Sequence, residues 1–452
     1  MRDDTAARWL FISAIAWLGA AVTVALLLAV KFVFPEFLSG SAPLQFGRLR
    51  PVHITLAAFG WLSMVQVAMA YYTVPRLAKV ELHSQRLAKL SVLLWNLFLI
   101  LAALTLLAGM TQGREYAELV YPLDVLFLAL LALVAYNLLR TVLGRREEKL
   151  YVTLWYFLAA LVWMPVVYFV GNVMWTPKGA LYGVNDAIVN WFYGHNILGL
   201  WFTPLGVGAA YYLLPKLVQK PLYSHRLSLL GFWALGLFYP WVGTHHLIFG
   251  PVPVWAQSVA IIASVAMVLP VLAVTLNFWK TAEGRWHLLA DAQGRLSAGD
   301  SVALKFLVLG GVWYLLTCLQ GPFQALRQVQ PYVHFTNWVV AHAHLALLGA
   351  FSFWGFACIY YALPRLTGAE VSHSLARAHF YLLTLGLSGF IASLTVAGLI
   401  QGSSWQAGVP FVDVVASLRP YLVVRLVSAV LMVASVYIFI YAIFSSLRGV
   451  RR

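Results

Sequence analysis

Twelve apolar stretches, each long enough to cross a bilayer, recur along this chain and constrain its fold before any motif does. They run at roughly 9–31, 52–75, 88–110, 119–142, 150–175, 184–214, 226–248, 254–279, 302–325, 334–363, 374–400 and 421–446. A hydrocarbon core of ~30 Å takes ~20 helical residues, and within it each backbone polar group must be satisfied by its own segment. The expectation is an all-α polytopic membrane protein, a single unit over residues 1–452. The chain is 62% hydrophobic and only 10% charged, against about half and about a quarter in soluble domains. The first run is too long for a signal peptide and lacks a small-residue cleavage site. Cys318 and Cys358 lie in separate runs, and without a CxxCH segment no covalent haem attachment is expected.

A formal net charge of +15 can signal nucleic acid, but here the cations follow the membrane. Lys31, Arg48, Arg50, Arg114, Lys178, Arg327, Arg419 and Arg425 fall on one side, and the other 22 of the 30 Lys and Arg on the opposite side. The richer side is cytoplasmic by the positive-inside rule, which puts both termini inside and leaves no role for nucleic acid. Arg48 and Arg50 oppose the bias, so an anionic partner is expected for them.

Few polar groups enter the apolar runs, and those that do are informative. Phe238–Phe249 reads FYPWVGTHHLIF, with His245 and His246 adjacent and Tyr239 six residues earlier. Two neighbouring imidazoles in hydrocarbon point to a metal. The sixth run, NWFYGHNILGLW, carries Tyr193, His195 and Asn196, and the tenth, HFTNWVVAHAHLALLGAF, carries His334, His342 and His344. On a regular helix His342 and His344 point ~200° apart, so they cannot chelate one ion but can serve two cofactors on opposite faces. That suits two haems, whose iron takes an imidazole axially. His53, at the outer end of the second run, reads alone either as a ligand or as a hydrogen-bonded structural histidine. Glu115 and Glu118 fall in an outer loop, read as solvated. Tyr223, Ser224 and Ser228 place hydroxyls below Tyr239, either bonded back to their own helix or forming a proton path, and Pro240 loosens the helix after Tyr239.

Depth ties these groups together. At ~1.5 Å per residue, His342 lies ~12 Å and His195 ~16 Å below the outer edge where His53 sits. His245 lies ~29 Å above the inner end of its run, with Tyr239 ~9 Å further in. Histidines from four helices thus share an outer zone. His195, His245 and His246 supply three imidazoles for a copper-like ion with an open position. His342 gives one haem a single ligand, and His53 with His344 give a second haem two.

Taken in order, FGRLRPVH, REYAEL, DAIVNWFYGHN, PLYSHRLS, FWALGLFYPWVGTHH, VWAQS, HFTNWVVAHAH and YLVVR resemble the haem–copper oxidases along nearly the whole chain. The chain looks most like the catalytic subunit of the cbb3-type, or C-family, cytochrome c oxidases. The resemblance implies His53 and His344 on a low-spin haem b, His342 on a high-spin haem b3, and His195, His245 and His246 on copper B. It places a redox-active tyrosine at Tyr239, joined covalently to His195, and an acid near the haem propionates at Glu115, where a bound calcium is also expected. Arg48, Arg50 and His334 fall in that same propionate and calcium region, and Tyr223, Ser228 and Tyr239 match parts of a single proton route. The implied reaction is reduction of O2 to water with protons drawn from inside and some pumped outward. Electrons would come from cytochrome c or c-type haem subunits, alongside other oxidase subunits, in a bacterial or archaeal cytoplasmic membrane.

The alternative is a nitric oxide reductase of the same superfamily, with non-haem iron replacing copper. Those enzymes carry an iron-ligating glutamate where this chain has Gly199, and a second where it has Met267. Both absences favour copper and oxygen, whereas AHAHLALLGAF reads more like the reductase form, and Ile248 and Val254 replace expected polar residues.

Overall fold

Hydrocarbon leaves the helix as the one open structure that satisfies its own backbone, and the computed structural model consists of helices joined by short loops. It describes residues 3–175, 181–290 and 294–449. Lys178, Arg2, Arg451 and Arg452, assigned sides of the membrane above, lie outside the described residues.

Twelve helices are long and apolar enough to cross a membrane. They are α1 (Thr5–Val33), α2 (Phe46–Ala78), α3 (Gln85–Leu107), α4 (Tyr121–Leu143), α5 (Val152–Val173), α6 (Gly183–Leu217), α7 (His225–Leu247), α8 (Val254–Ala282), α9 (Ala298–Gln324), α10 (Asn337–Thr367), α11 (His373–Gln406) and α12 (Phe411–Gly449). The number matches the apolar runs, but several ends move. Helix α2 starts at Phe46 rather than near residue 52, so His53 sits two turns inside the helix instead of at its end. Helix α12 starts at Phe411 rather than near 421, which draws Arg425 from the outer margin into a buried position. In both cases polar residues extend a helix beyond its apolar window.

Neighbouring helices form three arcs: α11, α12, α1 and α2; α3 to α6; and α7 to α10. The last helix of each arc, α2, α6 or α10, lies at the centre, where the most apolar windows are 78%, 94% and 89% buried. A short sequence repeat underlies this arrangement. Tyr-Tyr-x-x-Pro-Arg/Lys-Leu occurs at 71–77, 211–217 and 360–366, near the inner end of each central helix. Tyr72, Tyr212 and Tyr361 meet around an axis with ring centres 6.3–6.4 Å apart. The cation four residues on lies over its own tyrosine at 3.8 Å for Arg76 and Arg365 and 4.9 Å for Lys216.

The central helices share a second device. Each widens into π-helical turns, at Leu56–Leu62, Leu198–Phe202 and Leu345–Ser352. A hydroxyl closes each widened stretch by donating to a carbonyl five residues back: Ser63 to Ala58, Thr203 to Leu198 and Ser352 to Leu347. Trp201 of α6 donates to Ser63 of α2, and Trp61 of α2 donates to Ser352 of α10. Such turns reorient the side chains that precede them, and His53, His195, His342 and His344 stand on their N-terminal sides.

Candidate metal and cofactor centre

Pro240 lacks an amide donor and cannot continue the α-helical ladder of α7. The regular helix stops at Phe238 and the chain winds more tightly over Tyr239–Leu247. This turn carries His245 and His246 against His195 of α6. Gly243 permits the approach, since a Cβ there would lie 2.5 Å from the Trp191 carbonyl oxygen. One nitrogen from each of the three imidazoles falls within 4.8 Å of the other two. His195 Nδ1 is 2.8 Å from His246 Nε2 and 3.2 Å from His245 Nε2. Three lone-pair donors converging on one point, without an acid among them, suit a borderline metal ion that takes neutral imidazole.

The surroundings fix each ring. The Ser264 hydroxyl donates to the Ala260 carbonyl, so its oxygen accepts from His245 Nδ1 at 2.7 Å, leaving Nε2 free for metal. Trp191 stacks on His246 at 3.9 Å. His195 turns Nδ1 toward the other two imidazoles. The ring of Tyr239 stacks on it at 5.0 Å and 23°. Tyr239 also fills the volume beside Gly199, where a Cβ would lie 2.0 Å from its Cε1.

The other histidines form two further settings. His53 and His344 face each other with planes 11° apart and centres separated by 6.5 Å. Two metal–imidazole bonds of about 2.0 Å placed in line would set ring centres about 6 Å apart, so this pair fits a six-coordinate iron. Each ring commits Nδ1 to a carbonyl, His53 to Ala21 at 3.0 Å and His344 to Val340 at 2.8 Å. His342 points elsewhere and hydrogen-bonds Gln320 of α9 through Nδ1 at 3.0 Å. The two histidines of the H-x-H segment thus serve different neighbours, as helical geometry requires. All three rings stay partly accessible within enclosed helices, so they line an internal cleft. The donor set fits two haem irons and one further metal.

The outer polar residues are only partly gathered. Arg50 donates to Glu115 at 2.7 Å, so Glu115 is paired rather than merely solvated. The next residue, Tyr116, packs edge-on to Trp191, which links this loop to the metal site. Burial pushes the Tyr116 phenol up to about 12 and holds Glu118 above the usual carboxylate range. Arg48 instead donates to the Leu107 carbonyl at the end of α3. His334 stacks on Phe335, and burial lowers its imidazole below the ordinary value. Tyr223 is exposed at the inner end of α7, and the buried Ser228 hydroxyl donates to its own helix at His225. Neither contacts Tyr239 directly through any hydrogen bond among the described residues. Ser264, Gln320 and Trp191 were not foreseen as site residues. A polar QGP inside an apolar run was a usable signal for Gln320; Ser264 and Trp191 left none.

Fold and donor set together define a polytopic helical membrane protein that gathers three imidazoles around one point and sets further histidines beside them. The family model of cytochrome c and quinol oxidase polypeptide I matches residues 5–431, and the chain belongs to that family, the haem–copper oxidases. It is 32% identical over 449 residues to the cbb3-type cytochrome c oxidase subunit CcoN1 of Stutzerimonas stutzeri, covering 96% of this chain and 93% of the relative. A nitric oxide reductase subunit of the same organism is more distant, at 26% over 443 residues, covering 90% of this chain and 86% of the relative. A solved heme-copper terminal oxidase dimer superposes with TM-score 0.79 over 98% of this chain and 84% of its own at 16% identity, which speaks to fold. Membership implies haem and copper as cofactors.

Proposed function

We propose that this chain is the catalytic subunit of a terminal oxidase that reduces O2 to water with electrons from cytochrome c and couples the reaction to proton translocation. The observation that carries the reading is Tyr239, packed on Gly199 and stacked on His195 beside three converging imidazoles. A carboxylate at residue 199 would occupy the volume of that ring, so the metal keeps three neutral ligands and a phenol as its neighbour. This disfavours the nitric oxide reductase reading, which needs an acid there.

In this reading His195, His245 and His246 hold copper B, His342 holds a high-spin haem b3, and His53 with His344 hold a low-spin haem b. When bound, the haem iron and the copper supply the electrons and open coordination positions that O–O cleavage needs. Ser264 keeps the His245 lone pair aimed at the metal, and Gln320 does the same for His342. Tyr239 can give a proton and an electron from its phenol, and Nε2 of His195 is the nitrogen open to the covalent link expected between them. Arg50 and Glu115 support the propionate and calcium region, with Arg48 and His334 at its margin. Protons would enter from the inner side past Tyr223 and Ser228, water bridging the gaps to Tyr239. Cytochrome c or a c-type haem subunit would dock on the outer side, next to other oxidase subunits, in a bacterial or archaeal cytoplasmic membrane.

Metal analysis of the purified complex tests the assignment. One copper per two b-type haems is expected, whereas a third iron in its place would overturn it. His245→Ala should abolish O2 consumption while the low-spin haem spectrum persists. Turnover surviving that substitution would end the copper assignment.

A further inference from the structure

Helices α1 and α3 are two crossings apart and so run in the same direction, with their N-termini on the side that the charge bias makes cytoplasmic. A groove of about 290 Å3 opens between them on the outside of the bundle. It is lined at residues 9, 12 and 13 of α1 and at 89, 92, 93 and 96 of α3, the spacing of one face on each helix. Ile12, Val92 and Leu93 give it apolar walls, and Leu93 is 66% exposed. One turn toward the cytoplasm the same faces carry Arg8, four residues before Ile12, and Arg86, three before Lys89. Both are exposed, and among the described residues neither guanidinium has a hydrogen-bond or ion-pair partner. Lys89 is already bound to Asp3 at 3.0 Å. Cations on this side of a membrane are ordinary in themselves; two unmatched ones at the mouth of an apolar slot are not. Deeper in, the Ser13 oxygen accepts from Asn96 at 3.1 Å, and its own hydrogen has no acceptor among the described residues.

We propose that this groove binds one anionic phospholipid of the inner leaflet. The phosphate lies between Arg8 and Arg86, whose planar guanidiniums donate paired N–H groups to its oxygens. Trp9, 43% exposed, stands at the level of the headgroup, where aromatic rings collect in membrane proteins. Ser13 is five residues beyond Arg8, ~7.5 Å further in, so its hydroxyl meets the ester carbonyls that follow the phosphate. An acyl chain then covers Ile12, Val92 and Leu93. A zwitterionic lipid brings its own cation to the arginines, and an apolar helix from another subunit leaves them unmatched, so charge selects the anionic lipid. The site is independent of the metal centre and of the activity proposed for it.

The test is lipid retention by the whole complex, measured by native mass spectrometry after delipidation in detergent and supply of either phosphatidylglycerol or phosphatidylcholine. The unaltered complex should keep one phosphatidylglycerol per copy at this groove and release phosphatidylcholine. Each basic residue at a membrane surface favours an anionic lipid about fivefold, so Arg8→Gln with Arg86→Gln should weaken phosphatidylglycerol retention roughly 25-fold. If that pair does not accumulate, Leu93→Trp takes its place: it fills the slot from its exposed side, keeps both arginines, and should displace the same lipid. Equal retention of the two lipids by the unaltered complex overturns the inference, as does unchanged phosphatidylglycerol retention in whichever variant is measured. A photoreactive group attached at Leu93→Cys should label lipid; labelling of another subunit there would show a protein helix in the groove and overturn the inference as well.

Discussion

A side chain at residue 199 and the ring of Tyr239 cannot share one volume. Gly199 follows His195 by one helical turn, so whatever stands there faces the same neighbour as the metal-site imidazole. The ring of Tyr239 takes that place, with three of its carbons 2.0–2.2 Å from where a Cβ would be. Gly199→Ala should therefore displace the ring from His195 without disturbing the His53–His344 pair. A displacement of about 1 Å at a reacting group costs roughly 100-fold in rate. Oxygen consumption should fall by about that factor while the low-spin haem spectrum is unchanged, and turnover within threefold of the unaltered protein would refute the packing argument. The imidazoles themselves were legible in the sequence because a polar ring in hydrocarbon needs a reason. Gly199 was legible as a missing acid. Ser264 and Trp191 were not, because a serine or tryptophan in an apolar run is ordinary, and only the fold sets them against His245 and His246.

Elements show a different kind of economy, in which one solution is used several times. His83 and Ser84, leading into α3, give their backbone N–H groups to Thr141 and Asn137. Tyr223 and Ser224, leading into α7, do the same with Thr281 and Asn277, 140 residues on. A spaced pattern such as Tyr-Tyr-x-x-Pro does not stand out as a repeat in a single sequence. Few residues define it, and the helices around it differ. The widened turns were also illegible, since their apolar residues suit an ordinary helix equally well. Ser352 is where this device can be tested. Its oxygen accepts from the buried Trp61 indole and its hydroxyl closes the widened turn of α10, both at 2.8 Å. Ser352→Ala leaves that indole N–H without an acceptor, which costs about 1–3 kcal/mol. The thermal midpoint of the complex, followed by haem absorbance, should fall with Ser352→Ala. It should stay near the unaltered value with Ser446→Ala, whose hydroxyl only bonds back to Ile443 near the inner end of α12. Equal effects from the two would remove the special role of the widened turn.

Across the whole molecule, orientation follows from parity and charge together. Helices α2, α6 and α10 are separated by even numbers of crossings and so run in the same direction. Their N-terminal parts carry His53, His195 and His342 with His344, while α7 runs oppositely and brings His245 and His246 to the same side from its C-terminal end. All the candidate ligands therefore share one half of the membrane, whichever way the chain is inserted. Charge selects the way. Several cations on the poorer side are held by the protein: Lys31 by the Phe37 carbonyl, Arg50 by Glu115, Arg114 by Asp186 and the Gly171 carbonyl, and Arg327 by Ser258. The richer side also holds some of its cations, Arg76 with Asp4 and Arg365 with Asp300 among them, so it is the excess in number that sets the orientation. An alkaline phosphatase reporter fused after Thr111, between α3 and α4, should be exported and active. The same reporter after Arg145, between α4 and α5, should be inactive, while a fluorescent protein at the C-terminus should fold and fluoresce. The reverse pattern would place the haem-bearing half at the cytoplasmic face. Electrons from an outer cytochrome c would then have to cross most of the bilayer, and the outer docking proposed for that donor would be untenable.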